Sequence, residues 1–223
     1  MQTNPIRLIT ISREFGAGGS DLARALGARL DWPVLDHDIV HKVAERLRLD
    51  DETVESFDEH MPSLLARIAT VLIISVPGMY SLPPGEVVPS HDVIAAAARR
   101  VIEDAAKSLP LIVVGHGAQC IFADRDDTLI VRLVAPLDIR VARVAARSKL
   151  DQARALELVR RADDDRETYV QRYFHRDWRS ELLYDLQINT GSIAIAEAVA
   201  MVTRLVNHRS GIGILAPAVA NSA

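Results

Sequence analysis

The run Arg13-Glu14-Phe15-Gly16-Ala17-Gly18-Gly19-Ser20 puts three glycines, a hydroxyl and a cation within eight residues. Glycines let a backbone turn tightly and bring its N–H groups against an anion, and a helix starting near Ser20 would point its positive end at the same place. The chemistry this offers is the holding of a nucleotide phosphate. Against the pattern G-x-x-x-x-G-K-[ST], the run keeps the second glycine as Gly18 and the hydroxyl as Ser20. Arg13 stands where the first glycine should be, and Gly19 where the phosphate-binding lysine should be.

A dinucleotide-binding reading competes, because Gly16-x-Gly18 opens a helix and Asp36 follows at roughly the distance of a ribose-binding acid. Against it, the third small residue of that fingerprint would be Asp21, and nothing later resembles a second dinucleotide-binding half. An ordinary strand-to-helix turn would not need three glycines at one helix start.

The elements that must position this loop follow from periodicity. IRLITIS before it reads as a buried parallel strand, and Leu22, Leu26 and Leu30 recur after it at helical spacing. DWPVLD supplies the next strand, ending at Asp36. Amphipathic helices are expected from about 39 to 49 and 51 to 75, then a proline-rich loop over 76–91, then a helix to about 108 carrying Arg99 and Arg100. LPLIVVG is a further strand, followed by the turn Gly115-His116-Gly117. TLIVRLVA, a helix from 136 to 148, a long helix from 151 to about 174, the strand YDLQINT and a helix over 192–208 complete the alternation. Arg140, Arg143 and Arg147 fall at i, i+3 and i+7, on one helix face, and the long helix carries Arg160, Arg161, Asp163 and Arg166. Such alternation predicts an α/β fold with a mostly parallel sheet covered on both faces. Ligands should then sit at the strands' carboxyl ends, where Gly16 to Ser20, Asp36, His116 and Asn189 all fall.

Composition excludes several function classes. At 223 residues and a net charge of -4, the chain is long enough for its own core and too acidic for a general nucleic-acid coat. The apolar run LLARIATVLIIS is too short to span a bilayer and is expected in the domain core or in a homodimer interface. One cysteine, Cys120, permits no internal disulfide, and no secretory signal is visible, so a cytoplasmic protein is expected. Lysines are confined to positions 42, 107 and 149, leaving arginine, whose planar fork suits phosphate, to supply the other side-chain cations.

The segments ISREFGAGGSDLARALGARL, WPVLDHDIV, IVVGHGAQCIF, APLDIRVARV, DDDRETYVQRYF and YDLQINTG together resemble the cytidylate kinase-like group of P-loop nucleoside monophosphate kinases. That group's phosphate loop is itself of a lysine-poor S-R-x-aromatic-G-x-G-G form. The resemblance implies a three-layer P-loop NTPase fold, here a single domain over 1–223 with a helical insert at about 37–108 and a helical lid at about 140–180. It also implies ATP and Mg²⁺, with CMP or a similar small molecule as phosphate acceptor. The group usually reads G-R-G-A where this chain has Gly115-His116-Gly117-Ala118. If that arginine touches the acceptor phosphate in the group, a histidine here would weaken the contact at neutral pH or change the acceptor.

Phosphoryl transfer asks a protein to align two oxygens and to neutralise charge on the moving group. On that chemistry the backbone of Gly16, Ala17, Gly18, Gly19 and Ser20 would hold phosphate, and the Ser20 hydroxyl would reach Mg²⁺ and also cap its helix. Arg13 would replace the lysine, and Asp36 would act as general base or behind the metal's waters. Arg143, Arg147, Arg161 and Arg166 would close over ATP as lid residues. Asn189 would border the nucleotide, while His116, Arg99 and Arg100 would face the acceptor. Tyr169, Tyr173 and Trp178 are expected to serve packing. Two alternatives stand beside a nucleoside monophosphate kinase: a kinase of another small metabolite, and a nucleotide-binding regulatory protein without phosphotransfer.

Overall fold

The computed structural model describes residues 4–36, 95, 99, 102–107 and 110–211. The helices expected at 39–49 and 51–75, the loop at 76–91, Arg100 and the tail from 212 lie outside the described residues.

Five strands form one sheet: β1 (Leu8–Arg13), β2 (Val34–Asp36), β3 (Leu111–Val114), β4 (Thr128–Val134) and β5 (Leu186–Asn189), in the order β2-β3-β1-β4-β5. Every pairing is parallel, with Ile11 opposite both Val114 and Val131. A parallel strand is covered on both faces, so its alternate residues must all be apolar or partnered. Ile9 and Ile11 join Ile112, Val114, Val131, Leu133 and Ile188 in one core layer, shared with α1 (Gly19–Leu30) and the C-terminal helix. Leu8, Leu111, Val113 and Leu35 point the other way, onto Ile102, Ala105 and Ala106 of a helical stretch and onto Ala118 of the short α2 (Ala118–Ile121). The result is a three-layer α/β arrangement.

After β4 come α3 (Leu137–Ser148) and α4 (Gln152–Phe174), and after β5 comes α5 (Ile195–Arg209). The first two pack on each other through Val141, Val144, Ala145, Ala155 and Val159, with Phe15 of the glycine loop against the same cluster. Asp151 caps α4, its carboxylate accepting the Arg154 amide at 2.8 Å. Arg132, in the middle of β4, is buried between the rings of Trp178 (4.8 Å) and Tyr184 (5.2 Å) and donates to the Trp178 carbonyl. Trp178, 2 % exposed, donates its indole N–H to the Ser12 hydroxyl, so it is a packing residue as its sequence context implied. No helix among the described residues is long and apolar enough to cross a membrane.

Candidate functional site

At the end of β1 the chain leaves the sheet through two bonds that set the loop. The Glu14 amide donates to the Leu133 carbonyl at 3.0 Å, and the Ala17 amide turns back to the Glu14 carbonyl at 3.1 Å. Gly16 and Gly18 then take φ of 84° and 87°, the left-handed region. Space forbids a side chain too: a Cβ on Gly16 would lie 2.9 Å from the Arg140 carbonyl oxygen, and one on Gly18 2.9 Å from Ile195 Cδ1. Helix α1 begins at Gly19 with Gly18 as its N-cap, which corrects the expectation that Ser20 caps it; Ser20 lies inside the first turn. The first intrahelical bond runs from the Leu22 amide to the Gly18 carbonyl. Amides ahead of it have no acceptor within the helix, and the helix's positive end lies at the glycine loop.

Arg13 crosses this mouth. Its stem lies over Gly19, where a Cβ would come within 2.7 Å of Arg13 Cγ, and its guanidinium rests against Gly115 beyond β3. The cation therefore spans from the glycine loop to the Gly115-His116-Gly117 turn, all three of whose residues have positive φ. Gly117 abuts the ring of Phe174 at the end of α4, so this turn meets the long helix.

Asp36 ends β2 in register with Val114, beside the same turn. It is 4 % exposed, and its Oδ1 is buried with no hydrogen-bond partner. A buried carboxylate oxygen left unpaired is costly, and a ligand or ion could supply the missing contact. With the Ser20 hydroxyl it offers hard oxygen donors of the kind Mg²⁺ takes. Mg²⁺ takes few protein ligands beside water and phosphate; among the described residues there is no group of three or more His, Cys, Asp or Glu that could hold a metal.

The arginines of the two long helices reach different places. Arg140 is buried and bonds the Ala135 and Phe15 carbonyls and the Asp163 carboxylate, the last at 2.6 Å, with Glu14 3.3 Å from its Nε. Arg143 donates to the Thr190 carbonyl (2.7 Å), the Thr190 hydroxyl (3.1 Å) and the Gly16 carbonyl (3.4 Å). Arg166 lies over the Phe15 ring at 5.4 Å and bonds Asp163 at 3.2 Å. Burial, and then the neighbouring Arg13 guanidinium, push its pKa down from 12.5 to about 10, so it remains a cation at neutral pH. Arg147 is exposed, 4.0 Å from Asp21. Arg161 is also exposed and lines a depression of about 550 Å³ on the outer side of α4 with Arg160, Asp164 and Asp165. At 100° per residue it points away from the side that carries Asp163.

Asn189 uses its side chain at home, accepting the Gly191 amide at 2.9 Å. Arg99 is exposed and pairs with Glu103 at 2.8 Å.

Three residues of the site were not singled out by sequence reasoning. Glu14 accepts the Ala135 amide at 3.1 Å and so clamps the loop to the end of β4. Thr190, 3 % exposed, donates to the Ala17 carbonyl at 2.8 Å. Asp163, seen only as a neighbouring ion-pair partner, is 7 % exposed and accepts the Phe15 amide at 2.7 Å. Its signal was available: Asp163 shares the inward period of Ala155, Val159 and Val170, whereas Asp164 and Asp165 are exposed.

Among solved structures, an uncharacterised protein of Eubacterium ventriosum aligns with a TM-score of 0.64 at 20% identity, over 90% of this chain and 98% of that one. A shikimate kinase from Acinetobacter baumannii in complex with shikimate aligns with a TM-score of 0.46 at 16% identity, over 93% and 95%. A gluconokinase from Sinorhizobium meliloti gives 0.47 at 15%, over 93% and 97%. No curated protein matches by sequence. The model of the cytidylate kinase-like family matches residues 8–192, the stretch that holds β1 to β5 and the whole glycine loop; the chain belongs to that family, which supports a phosphotransferase.

Proposed function

We propose that this chain is an ATP-dependent kinase of a small molecule, with a nucleoside monophosphate, CMP foremost, as acceptor. The observation that carries the reading is the glycine loop at the start of α1 with Arg13 laid from it to the turn after β3. Family membership supports the same class of chemistry.

The backbone of the loop from Gly16 to Ser20, through the amides that the Ala17–Glu14 bond leaves, binds the donor's β-phosphate, and Arg13 supplies the charge that a lysine at position 19 would carry. The Ser20 hydroxyl and Asp36 would hold Mg²⁺, which would supply neutralisation of the phosphate charge. Asp36 takes or orients the acceptor's proton: its orphan Oδ1 lies at the end of β2, next to the turn where the acceptor sits. Helices α3 and α4 act as the lid, with Arg166 already over the Phe15 ring of the glycine loop. In this reading His116, in the turn after β3, serves the acceptor.

An acceptor screen with ATP, reading ADP release against CMP, dCMP, UMP, AMP and sugar acids, tests this. Turnover with CMP or dCMP alone supports the full reading, and turnover with a sugar acid replaces the acceptor. Glycine at position 19 favours one second reading, a protein that holds nucleotide without transferring phosphate; binding of ATP with no ADP release against any acceptor would establish it.

A further inference from the structure

Asp163 makes more contacts to the glycine loop than ion pairing on a helix surface requires. Its Oδ1 accepts the Phe15 amide at 2.7 Å and an Arg166 N–H at 3.2 Å, and its Oδ2 accepts an Arg140 N–H at 2.6 Å. These contacts join three elements: the loop through Phe15, α3 through Arg140, and α4, which carries both Asp163 and Arg166. Arg140 returns to the loop through the Phe15 carbonyl, so both the N–H and the C=O of Phe15 are held from the two helices. The Phe15 ring completes the contact, lying under the Arg166 guanidinium and against the α3–α4 apolar cluster. The next residue is Gly16, the first left-handed turn of the loop.

We propose that Asp163 is a positioning residue for phosphoryl transfer: it fixes the bend of the phosphate loop to helix α4, so that the loop amides and the Arg166 guanidinium are placed as one unit. This inference rests on the kinase reading above. Asp163 touches no substrate itself. It acts through Phe15, whose peptide planes lead directly into Gly16, and through Arg166, whose head it holds over the Phe15 ring. A movement of α4 then moves the loop's entry, and an occupied loop favours the inward place of α4, so nucleotide binding and lid position are linked in both directions. A structural role alone would lower stability without this linkage.

The test uses the full chain with Asp163→Asn, Arg166→Met and the double variant. Asparagine keeps the volume of the side chain, but its single carboxamide oxygen cannot replace both carboxylate oxygens, and its NH₂ group, a donor only, would face either the Phe15 amide or the Arg140 guanidinium. Mg–ATP affinity is read by titration calorimetry, and kcat and KM by ADP release, at a temperature well below each variant's melting point. The expected result is about a tenfold loss of Mg–ATP affinity and a larger fall in kcat for Asp163→Asn. Arg166→Met should then cost much less kcat in that background than in the wild type, because Arg166 has already lost its place. Wild-type affinity and kcat in folded Asp163→Asn, even with a lower melting temperature, would overturn the proposal. So would fully additive losses in the double variant. If the wild type binds Mg–ATP but transfers to no acceptor, the kinase reading fails by itself. The calorimetric comparison then decides the loop coupling, and equal affinities in wild type and Asp163→Asn refute it.

Discussion

Gly19 is where lysine would stand in a common phosphate loop, and the structure gives a steric reason for its absence. Replacing it by alanine is the sharpest test of the arrangement. Unlike Gly16 and Gly18, Gly19 carries no positive φ, so alanine is conformationally acceptable there and should favour the helix by about 0.5–1 kcal/mol. The new Cβ would, however, lie 2.7 Å from Arg13 Cγ and 3.1 Å from its Cβ and Cδ. Ordinary contact requires the Arg13 stem to withdraw by roughly 0.7 Å, and the guanidinium beyond it by about 1 Å or more. A misplacement of that size at a charge aimed at the transferring group costs about 100-fold in rate, or about 2.7 kcal/mol of barrier.

Gly19→Ala should therefore fold normally, melt within a few degrees of the wild type, keep ATP affinity within about threefold through its unaltered loop amides, and lose about 100-fold in kcat. The assay is ADP release with the best acceptor from the screen, beside a thermal melt. Arg13→Ala should give a loss of similar size, more in turnover than in ATP binding, and Gly19→Ala should add nothing in that background. A wild-type kcat in Gly19→Ala, or losses that multiply in the double variant, would refute the claim that the stem of Arg13 needs the space over residue 19.

Gly18→Val should abolish ATP binding and also lower the melting temperature, because its Cβ meets Ile195 and its φ is 87°; a wild-type melting temperature would contradict that geometry. Cys120, whose thiol is pushed up to about 11 by burial against an ordinary 9.0, should hold about one-hundredth of the usual thiolate at pH 8. Labelling by an alkylating agent should accordingly be slow in the folded protein and fast after denaturation. If His116 binds acceptor phosphate, acceptor affinity should rise as pH falls through about 6.5, and His116→Arg should tighten binding and remove the dependence. Parallel KM profiles for the two proteins, allowing for the acceptor's own titration, would place His116 outside the acceptor site.

The layers of the fold were legible because a parallel strand buried on two faces is mostly apolar. IRLITIS and LPLIVVG read that way even with Thr10 and Ser12 buried in the first, and only their ends differ: β1 runs from Leu8 to Arg13 and β3 from Leu111 to Val114. The helix start was placed one residue late because a serine hydroxyl is a familiar cap. Which residue caps is decided by backbone φ, and Gly18 reaches 87° at no steric cost. Asn189 was expected at the nucleotide because it ends a strand. The structure spends its carboxamide on the Gly191 amide two residues on, a local bond that side chains of its kind make readily.

Spacing alone was least informative about the arginines. Arg140, Arg143 and Arg147 share a helix face by their intervals, yet one is buried against Asp163, one is tied to Thr190 and Gly16, and one is exposed near Asp21. Intervals give direction around a helix axis, while depth depends on what the neighbouring segments bring to that face. Here α4 brings Asp163 and the glycine loop brings Glu14, both acidic and both far from Arg140 in the chain. A buried guanidinium without such partners would carry a heavy desolvation cost, so the place of Arg140 in the core was set by carboxylates that no pattern within α3 contains. By the same reasoning, Arg166 can stay charged over the Phe15 ring because Asp163 faces it. The acidic residue that looked like a mere neighbour in the sequence pairs with both Arg140 and Arg166 and so holds two cations of different helices against the glycine loop.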